Sequence, residues 1–260
     1  MNLTIHHVSG NVSKMTGGII FDVQDTSVPS AYDDVVIYGN DVYSVDRSGI
    51  NFGSFWWCRP EVGRTGDLPY HPWGKVTVRN NTVHDVGGDG IVLQYTDGGI
   101  AEYNTIYDVD MRSGLLNNAG LWVWNGNNTT YLAPGSTTDL VEERQSQVES
   151  TLDISNNIFV NHGSGGFTWP DSGAGPHTYS SNLLYGNRPA SPPANGFGIT
   201  GDPLLAAQGT GPPGYQLTAG SPAIGAGRPI TGNGGRDYFG NPLPSGPCLP
   251  GLGAHQFSTE

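Results

Sequence analysis

Positive charge is what this chain has least of. Eleven Lys and Arg face 23 Asp and Glu in 260 residues, a net charge of −12, and Lys14 and Lys75 are the only lysines. A phosphate backbone is held by clustered cations, so a nucleic-acid partner is not expected. Charged residues make up 13% of the chain, about half the usual share. Helical ion pairs can therefore contribute little, and the fold must rest on turns, ladders and packing. No apolar run approaches the roughly 18 residues of a membrane span, so no membrane partner is expected either. The opening Met1-Asn2-Leu3-Thr4-Ile5 has neither the basic nor the apolar region of an export signal. Cysteine is scarce: Cys58 and Cys248 could form one long-range disulfide or remain two free thiols, and no zinc-type Cys/His cluster exists.

What the chain has is glycine (40), proline (19), aromatic residues (6 Trp, 12 Tyr, 8 Phe) and a repeat. Five segments alternate apolar and polar residues around an Asn: Val35–Val42, Val76–Val83, Ile100–Ile106, Leu152–Ile158 and His177–Leu183, with Asn40, Asn81, Asn104, Asn157 and Asn182 in equivalent places. Asn81 to Asn104 is 23 residues and Asn157 to Asn182 is 25, the length of one solenoid turn. A second column follows each Asn, opening with Gly: Gly18–Phe21, Gly49–Phe52, Gly90–Leu93, Gly120–Val123, Gly166–Trp169 and Gly196–Ile199. Period-two alternation points the first and third apolar residues of each into the coil. The spacing predicts an all-β chain, a single-stranded parallel β-helix of about six coils, with an Asn ladder at a tight corner where Asn tolerates left-handed geometry. An antiparallel sandwich is disfavoured because hairpin turns do not recur.

Residues 1–200 form the expected coils, with insertions at 53–75 and 125–151. Within the second, Asp139–Gln147 reads as a short helix, Asp139 capping it and Glu142 closing a capping box. Residues 201–260, rich in Gly and Pro, are expected to wrap and cap the last coils.

Aligned on the Asn corners, Asp46, Asp89 and Asp110 fall near one edge, flanked by Arg47 and Arg112. Coils about 4.8 Å apart would bring these acids to the separations that glycoside hydrolysis uses, one as acid and another as base or nucleophile. Asp89 is the middle acid, and the neighbouring Gly90 leaves room for a substrate. The alternative is that each Asp is a turn residue bonding its own backbone. Three carboxylates could also hold Ca²⁺, although no Asp-x-Asp-x-Asp-Gly loop is present and no other cofactor is expected. The outward positions of the second column hold Trp122 and Trp124, with Gln94 and Asn51 as counterparts on neighbouring coils. Paired Trp beside amides suit sugar stacking, and Trp73 with Trp56, Trp57 and His71 could fold over as a wall. His84, equivalent to Tyr43 and Tyr107, belongs to an outward aromatic stripe.

With Gly88-Asp89-Gly90-Ile91, Asn118-Ala119-Gly120-Leu121-Trp122 and the ending Asp237–Pro242 … Gly251–His255, the chain resembles the carbohydrate-active right-handed parallel β-helix proteins, the pectin-lyase-like superfamily. The resemblance implies an extracellular monomer acting on a polysaccharide or oligosaccharide. It leaves three activities open: a glycoside hydrolase, a polysaccharide lyase, or a non-catalytic binding module. The polygalacturonase pattern Asn-Thr-Asp, Asp-Asp, Gly-His-Gly and the basic cluster of a pectate lyase are both missing.

Overall fold

Alternation and a recurring Asn build a coil with three faces. The computed structural model describes residues 2–9, 17–21, 32–52, 73–94, 96–109, 120–124, 129–132, 140–143, 151–161, 177–186, 198–208, 211–244 and 248–257. The first face stacks the strands Asp33–Tyr38, Trp73–Arg79, Gly99–Glu102, Leu152–Ser155 and His177–Ser180. The second, beyond the Asn corner, stacks Thr4–Val8, Asp41–Val45, Thr82–Val86, Thr105–Tyr107, Ile158–Asn161 and Leu183–Gly186. The third holds Gly17–Phe21, Ser48–Phe52, Ile91–Gln94 and Leu121–Trp124. Every pairing in these stacks is parallel, one coil on the next. The expected β-helix of about six coils is the fold found.

Period-two alternation sends one file of side chains per face into the core. Val42, Val83, Ile106, Phe159 and Leu184 come from the second face, Ile37, Val78, Ala101, Ile154 and Tyr179 from the first, and Ile50, Ile91 and Leu121 from the third. The glycines that open the third-face strands answer to this crowding. A Cβ on Gly90 would lie 2.6 Å from both the Gly120 carbonyl and Ile106 Cγ2. Gly90 is therefore required by packing.

Between the first two faces runs the ladder. Asn81 donates its backbone N–H (3.0 Å) and its side-chain amide (3.0 Å) to Asn104 Oδ1, and Asn104 does the same to Asn157 Oδ1 at 2.9 and 3.0 Å. Asn40 and Asn182 extend the file at either end. The left-handed residue is the one before each rung: Gly39, Asn80, Tyr103, Asn156 and Ser181, with φ between 52 and 65°. That differs from the expectation for the ladder Asn itself. The preceding residue makes the turn, which leaves the rung's side chain aimed into the corner.

Two other expectations change. Leu140–Glu143, read as helix, is a strand paired antiparallel with Thr129–Leu132, Thr130 opposite Glu142 and Tyr131 opposite Val141. The antiparallel backbone ladder outweighs the local capping pattern; Asp139 itself lies outside the described residues. The C-terminal segment, expected on the last coils, lies along the flank and reaches much further back. Leu205, Tyr215, Leu217 and Leu252 form a second core with Ile158, Val160 and Leu183 on the outside of the second face. Tyr107 donates to Gln208 (2.7 Å), and Ala254 N–H to Thr105 Oγ1 (2.9 Å). On earlier coils, Asn80 and Tyr38 both donate to the Arg236 carbonyl, at 2.7 and 2.8 Å. Within the segment, buried Asp237 accepts from Asn241 and from the Gln256 N–H, which is the structural work of the Asp237–Pro242 motif. Among the described residues no helix is long and apolar enough to cross a membrane.

Candidate functional site

On the second face, one position in each of four successive coils departs from plain strand geometry. His7, Ser44, Asp85 and Asp108 share register and left-handed backbones, with φ of 55, 51, 51 and 46°. Asp tolerates that conformation better than most residues. The effect is to leave two successive side chains outside, His84 then Asp85 or Tyr43 then Ser44, before Val86 and Val45 return to the core. A groove of about 410 Å³ opens beside this file, lined by His7, Ser44, Asp46, Asp85 and Gly87 among others. Two carboxylates from successive coils, Asp46 and Asp85, thus line one depression.

Behind Asp85 the wall is aromatic and charged. His6, Tyr43 and His84 stack along the axis, 5.1 and then 4.9 Å between rings, and Tyr215 of the C-terminal segment closes over His84 at 4.4 Å. The stripe read in the sequence is there, but its ring faces are spent on one another. His84, 3% exposed, sits between two acids: Nδ1 is 2.7 Å from Asp85 Oδ2, and Nε2 is 3.3 Å from Oδ1 of fully buried Asp41. Thr82 donates its hydroxyl to the same Asp41 oxygen at 2.5 Å. Burial alone would lower the His84 pKa. The negative charges of Asp41 and Asp85, with the hydrogen bond to Asp85, outweigh it and hold the imidazole above its ordinary 6.5. The negative charge of Asp41 also adds to burial in raising the Tyr238 hydroxyl.

The acids singled out from the sequence separate here. Hydrogen bonds from Asp46 N–H to the Val8 carbonyl and from Gly87 N–H to the Val45 carbonyl put Asp46 level with Gly87, as the alignment expects. Asp46 is half-buried at the groove, whereas Asp89 lies one turn of corner further on and is 4% exposed. Asp110 and Arg112 lie outside the described residues. Asp85 and Asp41 were not singled out from the sequence. The signal was there in the columns: at the first position after the ladder Asn, Asp41 stands in a file of Thr82, Thr105, Ile158 and Leu183.

A family model described as "Right handed beta helix region" matches residues 2–202. The chain belongs to this β-helix family. A curated relative is the Lacto-N-biosidase of Bifidobacterium longum subsp. longum, 29% identical over 215 residues, or 73% of this chain. The chain spans 13% of that relative's length.

The third face of the β-helix carries the remaining candidates. Trp122 pairs in register with Val92, and Trp124 with Gln94; Val92 in turn pairs with Asn51. Asn51 and Val92 are 2% and 0% exposed, so at those two positions this face is covered and not open. Trp73, expected at the end of an insertion, opens a first-face strand opposite Thr96. Trp56, Trp57, His71 and Cys58 fall outside the described residues, while Cys248 is exposed and free.

Proposed function

We propose that the chain is the carbohydrate-cleaving part of an extracellular glycoside hydrolase acting on an oligosaccharide or polysaccharide. The observation that carries this reading is the groove in which Asp46 and Asp85 face the same space. Coil spacing and a two-residue offset give roughly 8 Å between their backbones, close enough for the two side chains to reach the carboxyl separations of about 5–9.5 Å at which glycosidase acid pairs operate. One carboxylic acid passes its proton to the glycosidic oxygen as the C–O bond breaks. The other carboxylate takes a proton from the water whose oxygen bonds to the anomeric carbon. Asp85 takes the place first given to Asp89 because its side chain is 41% exposed at the groove, against 4% for Asp89. The relative named as a biosidase, matched along 73% of this chain, supports the same class. Trp122, Trp124 and Gln94 remain in the reading as a stacking contact for a more distant part of the sugar chain.

The test is release of new reducing ends from a panel of neutral and acidic glycans. Asp46→Asn and Asp85→Asn should each lower turnover by roughly 10²- to 10⁴-fold with the melting temperature unchanged. Glycans retained on affinity electrophoresis but never cleaved would replace the hydrolase with a binding module. Unsaturated products absorbing near the ultraviolet would indicate a lyase.

A further inference from the structure

We propose that Asp41 and His84 form a buried charge pair whose purpose is to position Asp85 as a reacting carboxylate of the groove. The inference rests on the hydrolase reading and adds to it two positioning residues that touch no substrate.

The first support is geometric. A carboxylate only accepts hydrogen bonds, so His84 must donate from Nδ1 to Asp85 Oδ2 at 2.7 Å. Its other nitrogen lies 3.3 Å from Asp41 Oδ1, within ion-pair reach. A carboxylate at each nitrogen favours the imidazolium, and the ring ties Asp85 Oδ2 to the wall of the groove that Asp85 lines. Tyr43 on one side and Tyr215 on the other keep the ring from turning.

The second support is what the arrangement costs. Asp41 is fully buried, yet its Oδ2 has no hydrogen-bond partner, and neither does His84 Nε2. A buried, incompletely satisfied charge destabilises a fold and is readily replaced by neutral packing. The fold offers the replacement on adjacent coils. At the register position of Asp41 the next two coils carry Thr82 and Thr105, and at that of His84 the flanking coils carry Tyr43 and Tyr107. A coil with Thr and Tyr would stack equally well without a charge. On the three coils that carry Asp41, Thr82 and Thr105, Asp41 and His84 are the departures from this Thr and Tyr pattern, and they touch each other, with Asp85 held by His84.

The substitutions Asp41→Thr and His84→Tyr, made together, restore the pattern of neighbouring coils and should fold at least as stably as the parent. On the glycan that the parent cleaves, kcat should fall roughly 10- to 100-fold, less than for loss of the acid or base itself, with KM little changed. The titratable groups around His84 are Asp41, Tyr43, Asp85, Tyr107, Asp108, Tyr215 and Tyr238. The imidazole of His84 is held above its ordinary 6.5, so a limb of the parental pH–rate profile that falls as pH rises through the His84 value should vanish in the double variant. His84→Tyr combined with Asp85→Asn should be no slower than Asp85→Asn alone. A folded double variant with parental kcat and pH profile, or additive losses with Asp85→Asn, overturns the proposal and leaves the hydrolase reading standing. Nitrogen-15 spectra read the pair without substrate: His84 nitrogens that stay doubly protonated to above the ordinary 6.5 are expected, and a ring already neutral below that value overturns it. A chain with the protonated ring but no cleavage of any glycan instead overturns the hydrolase reading.

Discussion

The corner before the second face and the corner after it are made by the same coils, yet they differ in kind. At the first, the same residue recurs on five coils, is nearly or fully buried, and gives its hydrogen bonds to its own copies. At the second, the coils disagree: Asp46-Arg47 on one, Gly87-Gly88 on the next, with a groove where side chains do not repeat. A stack gains from repetition because each copy satisfies the one above. A site for chemistry needs particular groups once. In this molecule repetition marks what holds the coil, and its failure marks what the coil carries.

The ladder side should be broken most easily by its central rung. Asn104→Ala removes the acceptor for two Asn81 donors and the donor to the Val78 carbonyl, all buried. Leaving such groups unsatisfied should cost about 3–5 kcal/mol, measured by urea denaturation, and activity should fall only with the folded fraction. Asp46→Asn at the opposite corner should do the reverse. Gly90→Ala sharpens the contrast: its new Cβ meets the Gly120 carbonyl and Ile106, so about 1–3 kcal/mol of stability should be lost. A Gly90→Ala protein with unchanged melting but weakened substrate binding would move Gly90 to the chemical side.

The smallest effect is in pH. His84 lies above 6.5 in the folded chain, so its stabilising share is full below that value and is lost as pH rises through the folded value. Burial lowers the His255 pKa, only partly offset by Asp237, and its Nδ1 accepts the Leu217 N–H at 2.9 Å. Its share is full above 6.5 and is lost as pH falls through its folded value. Calorimetry across about pH 5 to 8 should show His84→Tyr flattening the alkaline limb and His255→Gln the acid one.

Most of the fold was legible because a stacked coil writes its register into the sequence. Asn40 to Asn182, the Ile50–Ile91–Leu121 file and the Tyr43–His84–Tyr107 stripe all pair as the alignment implied. What escaped was set by partners distant in sequence. Leu140–Glu143 has a convincing helix start, and only Thr129–Leu132 opposite makes it a strand. Asp89 looked like the central acid, but whether an Asp at a corner faces solvent or is buried depends on the layers outside it, which periodicity does not describe. Asp85 was hidden for another reason: a left-handed residue breaks the alternation by which outward positions are counted.

The C-terminal segment changes how the coil can come apart. In a linear array each unit touches only its neighbours, so the ends can melt while the middle stays ordered. Here one strap touches Tyr38, Asn80, Thr105, Asn156 and Leu183, so it is anchored on coil after coil. Peeling off an end coil then also strips contacts from coils that are still intact. The zipper is sewn along its length, and it opens as one piece or not at all.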